Sequence, residues 1–196
     1  MKLHIPISLD KYTLTEAARL MDYIATKPFE NVTIITMCEL VAAVTGHSVD
    51  AIKKVDIESV KKAFAYIIKS VDRKKQKPPK EVTIQGITYE FNQDLAHKSW
   101  SAGRFIDADV IGQEVLTYPG KFIAILYLRK GTQYGDEKLE DRAEIMTKHF
   151  RGDYYVDVVD FFLQKREQLL PGFMVLQNAR SQMLRQKALK IIQKRG

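Results

Sequence analysis

The stretch PPKEVTIQGITYEFNQDLAHKSWSAGRFIDADVIG, residues 78–112, decides how the rest of the chain reads. It carries the clear hairpin pattern and the single tryptophan. Gln85-Gly86 separates two runs in which apolar and polar residues alternate. A two-residue loop with Gly second is a favoured tight connection, because Gly adopts the positive φ that such turns need. This loop predicts that Ile84 faces Ile87, Thr83 faces Thr88, Val82 faces Tyr89 and Glu81 faces Glu90. One side then holds Val82, Ile84, Ile87, Tyr89 and Phe91, and the other Glu81, Thr83, Thr88 and Glu90. So clean an alternation implies one buried face and one wet face. Glu81 opposite Glu90 is a mild like-charge cost. A lone hairpin is marginal in water, so it needs helices beneath it or a third strand. Residues 2–8, KLHIPIS, are the candidate third strand: Leu3, Ile5 and Ile7 alternate, and Pro6 confines them to an edge.

Outward from the hairpin the chain reads as helix. Thr13 and Glu16 form a capping-box pattern, Leu14, Ala17, Ala18, Met21 and Ile24 follow at helical spacing, and Pro28 ends the helix near Lys27. A second box is expected at Thr36 and Glu39, with Met37, Leu40, Val41 and Val44 as the stripe and Gly46 as the stop. Ser48 can cap a short helix, VDAIKKV, and Asp56 a longer one striped by Ile57, Val60, Phe64, Ile67, Ile68 and Val71. Residues 72–80, DRKKQKPPK, break the pattern as a basic connector.

Beyond the hairpin, Ser99 or Ser101 can start a helix through Gly112, with Trp100 at its mouth and Phe105, Ile106 and Val110 inward. KFIAILYL, 121–128, is apolar nearly all round and therefore buried; its flanks favour helix over strand, though length alone does not choose. Gly131 to Gly135 is a loop, and Leu139, Ala143, Met146 and Phe150 stripe the next helix. Asp153 opens another, with Tyr154, Val158, Phe161 and Phe162 inward, and Pro171-Gly172 ends it. The fold class expected is α+β, mainly α. A helical unit over 1–77 precedes a unit over 78–196 that holds the hairpin, further helices and a basic C-terminal helix.

That last helix differs in character. Glu167 is the final acid of the chain, and Arg180, Arg185, Lys187, Lys190, Lys194 and Arg195 follow without one. Leu184, Ala188, Ile191 and Ile192 line one side, so the segment is basic and amphipathic. A terminal helix packed on the body, a partner-docking helix and an anion-binding helix all fit this pattern.

Composition sets the bounds. At 45% hydrophobic and 28% charged, the chain is globular in class, and 196 residues suffice for a sizeable core. The net charge of +7 weakly favours anionic partners. No apolar run approaches the roughly 20 residues of a spanning helix, so no membrane segment is expected. The first residues, MKLHIPISLDKY, lack a signal peptide's apolar stretch. The single cysteine, Cys38, excludes an internal disulfide and reads as a core residue.

No catalytic constellation is legible. The sequence lacks CxxC, HExxH and GxSxG, and GTQYGDEK lacks the spacing and the Lys-Ser/Thr pair of a phosphate loop. His4, His47, His97 and His149 are scattered without ligand spacing. Asp107, Asp109 and Glu114 are the densest carboxylates near the hairpin, but Asp107 and Asp109 face different ways on a helix. Asp153, Asp157 and Asp160 share a helical face and read as solvated or salt-bridged. Neither a cofactor nor a metal is expected.

The order of segments carries a resemblance. LVAAVTGHSVDAIKKVDIESVKKAF leads into the hairpin VTIQGITYEF, then SAGRFIDADVI, then KFIAILYLRKGTQYGDEKLEDRAEIM. Over roughly residues 36–165 this resembles small tail-assembly and virion-associated structural proteins of tailed bacteriophages, notably those of gut Bacteroidota hosts. Gly86, Tyr89, Asp107, Tyr127 and Arg142 are its polar and small-residue marks. The resemblance implies a non-enzymatic role, such as chaperoning a tail tube or tape measure, or a place in the head–tail connector. It implies a virion or host-cytoplasm location and other virion proteins, or further copies of the chain, as partners. The basic C-terminal extension has no counterpart in the pattern. The residues expected to make partner contacts are Trp100, Phe105, Arg180, Leu184, Arg185, Lys187, Ile191, Ile192 and Lys194. The alternative is a nucleic-acid-binding or host-interfering phage protein that uses 73–80 and 180–195.

Overall fold

The computed structural model describes residues 8–27, 32–71, 76–94 and 100–165. Among these, the chain is mainly helical with a small three-stranded antiparallel sheet, as expected. The described residues form one compact unit that ends at Val159 and a second that begins at Asp160.

The N-terminal helices follow their caps. In α1 (Leu14–Thr26), Thr13 and Glu16 form the expected reciprocal box, and Lys27 closes the helix. In α2 (Ile34–Thr45) the box lies three residues earlier than expected. Thr33 Oγ1 accepts from the Thr36 amide and Thr36 Oγ1 accepts from the Thr33 amide, so Thr36 takes the position that Glu fills in the commoner pattern. Gly46 ends α2 with φ of 72°, a conformation that favours glycine. Ser48 caps α3 (Val49–Ile52), and Asp56 Oδ1 accepts from the Ser59 amide at the start of α4 (Ile57–Val71). The buried stripe of α4 is Val60, Ala63, Ile67 and Ser70, and Ile57, Ile68 and Val71 are exposed rather than inward. Ser70 tolerates burial because its hydroxyl donates to the Ile67 carbonyl at 2.6 Å.

The hairpin has the register that the sequence predicts. In β1 (Glu81–Ile84) and β2 (Ile87–Glu90), Ile84 pairs with Ile87 and Glu81 with Glu90. Gln85 and Gly86 both have positive φ, which gives the turn the right-handed twist of the strands. Val82, Ile84, Tyr89 and Phe91 are buried. The Glu81–Glu90 repulsion is offset by Lys130, whose Nζ lies 2.9 Å from Glu81 and 3.2 Å from Glu90. The strand that joins the hairpin is β3 (Leu128–Arg129), which pairs with β2. The expected third strand, residues 2–8, lies outside the described residues apart from Ser8.

The run 121–128 divides between two elements. It forms the end of α6 (Pro119–Leu126) and then turns at Tyr127 into β3. Residues 122–128 are all buried, as their apolar character demands. The neighbours of α6 are α5 (Ala102–Gln113), α7 (Leu139–His149) and α1. Tyr127 packs between Phe91, tilted at 43°, and Phe150, edge-on at 62°, with ring centroids 5.3 and 5.1 Å away, so it ties the end of the hairpin to the end of α7. Helical residues 152–165 follow as α8, in which Tyr155, Val158, Val159 and Phe162 are buried while Tyr154 and Phe161 are half-buried. The break at Pro171-Gly172 lies outside the described residues.

Helix α6 approaches α7 closely at Gly120. A Cβ there would lie 2.7 Å from the Ala143 carbonyl oxygen and 3.2 Å from Thr147 Cβ. Gly120→Ala is therefore expected to cost about 1–3 kcal/mol in a thermal melt. Adding Thr147→Ala should leave much of that loss, because the Ala143 carbonyl is backbone and cannot step aside.

Candidate protein-interaction surface

Helix α5 is oriented by a residue with no apolar character. Ser101 caps it by accepting from the Arg104 amide at 3.2 Å. The inward positions are Arg104, Ala108 and Gly112. Ile106 and Val110, expected inward, are 54% and 55% exposed. They lie on the opposite side of the helix from Arg104 and Ala108, and the buried arginine decides which side faces in.

Arg104 is held inward by the end of α6. A helix leaves its last carbonyls without intrahelical donors. In α6 the Ile123 carbonyl accepts from the Tyr127 amide. The Ala124 carbonyl accepts from Arg142 Nε at 2.7 Å. The Ile125 and Leu126 carbonyls accept from Arg104 Nε and Nη2 at 2.9 and 2.8 Å. Two guanidinium groups, 1% and 2% exposed, thus satisfy three carbonyls at the centre of the unit. Their charge also complements the negative end of the helix dipole. Glu137 accepts from Arg142 Nη1 at 3.1 Å, and Arg104 stacks on the Trp100 ring at 4.2 Å. Burial, and then the charge of Arg142, pushes Arg104 down to about 10, so it stays cationic at neutral pH.

A second polar contact holds the flank of α5. Tyr134, in the β3–α7 loop, donates to Asp107 Oδ2 at 2.5 Å. Burial, and then this hydrogen bond, pushes the Tyr134 hydroxyl well above the ordinary phenol range, so it remains a donor at neutral pH. The loop is braced further where the Gln133 amide donates to Asp136, and where Glu137 lies 3.7 Å from Arg129. With Arg104 beneath and Tyr134 at the side, α5 presents an outer strip of Ala102, Gly103, Ile106, Val110 and Gln113, all exposed. Asp107 flanks this strip on one side and Asp109 on the other. Exposed branched aliphatic side chains one turn apart on a fixed helix suit the docking of an apolar ridge.

Trp100 is buried at 8% exposure. Its Nε1 donates to the Asn92 carbonyl at 2.9 Å, and its ring meets Phe105 edge-on at 6.4 Å. Trp100 and half-buried Phe105 thus pack within this chain. Arg180, Leu184, Arg185, Lys187, Ile191, Ile192 and Lys194 lie outside the described residues, as do His4, His97 and residues 72–75 of the basic connector. Lys77 and Lys80 of that connector are exposed. Cys38 is buried. The three aspartates of α8 are not a uniform solvated face. Asp153 pairs with Arg151, whereas Asp157 is buried and accepts from the Gln76 amide at 3.2 Å. His149 and Gln85 side chains meet at 3.0 Å on the surface. No cluster of metal-ligating side chains occurs among the described residues, and none of their helices is long and apolar enough to cross a membrane. A second exposed aliphatic group, Val32, Ile34 and Ile35, lies at the start of α2.

Sequence reasoning missed Arg104 and Tyr134 and met Arg142 only as a mark of resemblance. The available signal was the buried run AILYL, whose last helical carbonyls must find donors inside the unit, but nothing in the spacing says which side chains supply them. No protein-family model, curated protein or solved structure matches this chain.

Arg104→Met removes the donor to two buried carbonyls and should cost about 2–5 kcal/mol, read as a lowered thermal midpoint. Arg104→Lys should recover less than half of that, because one ammonium cannot reproduce the two-pronged geometry. A lysine variant that melts with the parent would remove the geometric argument. Tyr134→Phe should speed amide hydrogen exchange over residues 131–137 while changing global stability by only about 1 kcal/mol.

Proposed function

We propose that this chain is a non-enzymatic assembly protein that works by binding other proteins, as do the tail-assembly and virion-associated proteins of tailed phages that it resembles. The observation that carries this reading is the outer face of α5, where Ile106 and Val110 are more than half exposed on a helix fixed from within. Its partners are other virion proteins or further copies of the chain, and it acts in the virion or the host cytoplasm. The charge of +7, with no acid after Glu167, favours a second reading in which stretches 73–80 and 180–195 bind nucleic acid.

Light scattering coupled to size exclusion, on the chain alone and co-expressed with tail and connector proteins, tests the first reading. A complex of defined stoichiometry is expected, and Ile106→Asp with Val110→Asp should weaken it at least tenfold. A strict monomer that joins none of those proteins would sink the proposal. A mobility shift at low salt that falls steeply as salt rises would instead favour the nucleic-acid reading.

A further inference from the structure

The outer face of α5 has a size and charge pattern that selects its occupant. Ala102 and Gly103 leave its first turn low, and a Cβ on Gly103 would meet nothing within 4 Å. Ile106 and Val110 stand above that turn, with Asp107 and Asp109 to either side and exposed Glu114 just past the helix. The face thus calls for an apolar ridge bordered by cations. Pairing with the same face of a second copy is disfavoured, because a two-fold axis would set each acidic flank against its own image.

The chain itself carries a segment of the complementary kind. In residues 180–196, Leu184, Ala188, Ile191 and Ile192 recur at helical spacing, six basic residues surround them, and there is no acid. We propose that the outer face of α5 receives the basic segment 180–196 of a second copy, so that copies join head to tail. This rests on the assembly reading above and specifies its partner. Each copy then offers one acceptor face and one donor segment, and such a heterologous contact closes into a ring or continues as a filament. The contact is small. A twelve-residue helix is about 18 Å long, and the acceptor falls short of the roughly 1,000 Å² of a stable interface. Association is therefore weak, dependent on concentration and weakened by salt.

Sedimentation velocity on the full chain across a hundredfold concentration range, at low and high salt, reads this directly. The average mass should rise with concentration and fall with salt. An acceptor variant, Ile106→Asp with Val110→Asp, and a donor variant, Leu184→Asp with Ile191→Asp, should each be monomeric alone. Mixed in equal amounts they should form a dimer that grows no further, because the pair retains one live acceptor and one live donor. Gly103→Arg sets a cation against the basic segment at an open helical position, and serves as the acceptor variant if the aspartates impair folding. The inference is overturned by a parent chain that stays monomeric throughout, by a donor variant that associates as the parent does, or by a mixture that stays monomeric. If the parent is monomeric while the acceptor variant still loses co-expressed virion proteins, this inference falls and the assembly reading stands.

Discussion

The architecture depends on a problem of unmet hydrogen bonds. Helix α6, buried along most of its length, ends inside the unit rather than at its surface, because the chain turns at Tyr127 directly into β3. The carbonyls of Ala124, Ile125 and Leu126 therefore face the interior without helical donors. A buried carbonyl left unpaired costs about 1–3 kcal/mol, so three together would cancel much of a domain's net stability. Arg104 and Arg142 remove that cost with three hydrogen bonds. Their own burial is costly, and it is tolerated because carbonyl dipoles, Glu137 and the Trp100 face surround the charge.

This requirement accounts for features that look unrelated in the sequence. The hairpin gains its third strand because β3 continues from the capped end of α6, and Lys130, one residue further on, bridges the paired glutamates of the hairpin. Tyr127 sits at the same turn, where its hydroxyl donates to the Pro79 carbonyl at 2.6 Å and its ring meets Phe91 and Phe150. Residues just before and just after the hairpin are thus both tied to the end of α6. Gly120 lets α7 approach from the other side, which carries Arg142 to its carbonyl.

Elements set by local rules were legible. The Gln85-Gly86 turn needs positive φ, and from that the whole hairpin register followed. Thr13, Ser48 and Asp56 could be picked as caps, and Ser101 as one of two candidates, because a side-chain oxygen meets a nearby amide whatever lies beyond. Orientation of α5 was not legible, because apolar spacing puts Ile106 and Val110 inward and no local rule outbids it. Only the distant end of α6 makes an arginine the better inward residue. The third strand was missed for the same reason: two residues at the tail of an apolar run carry no period. On α4, a serine that bonds its own helix hid the true inward stripe.

The same constraint gives the outer face of α5 its character. A helix docked by apolar side chains can roll to bury whatever aliphatic residues it carries, since burial has no direction. A helix docked by a guanidinium cannot, because rotation by one residue would draw Arg104 away from both carbonyls. Tyr134 on Asp107 resists the same rotation from the side. Ile106 and Val110 therefore stay outward at a cost of about 1 kcal/mol or more each in unburied apolar surface. Side chains already held on a rigid element lose little freedom when a partner covers them, which raises the share of burial energy that appears as affinity. The buried arginine that solves the carbonyl problem thus also leaves an apolar strip in place on the surface.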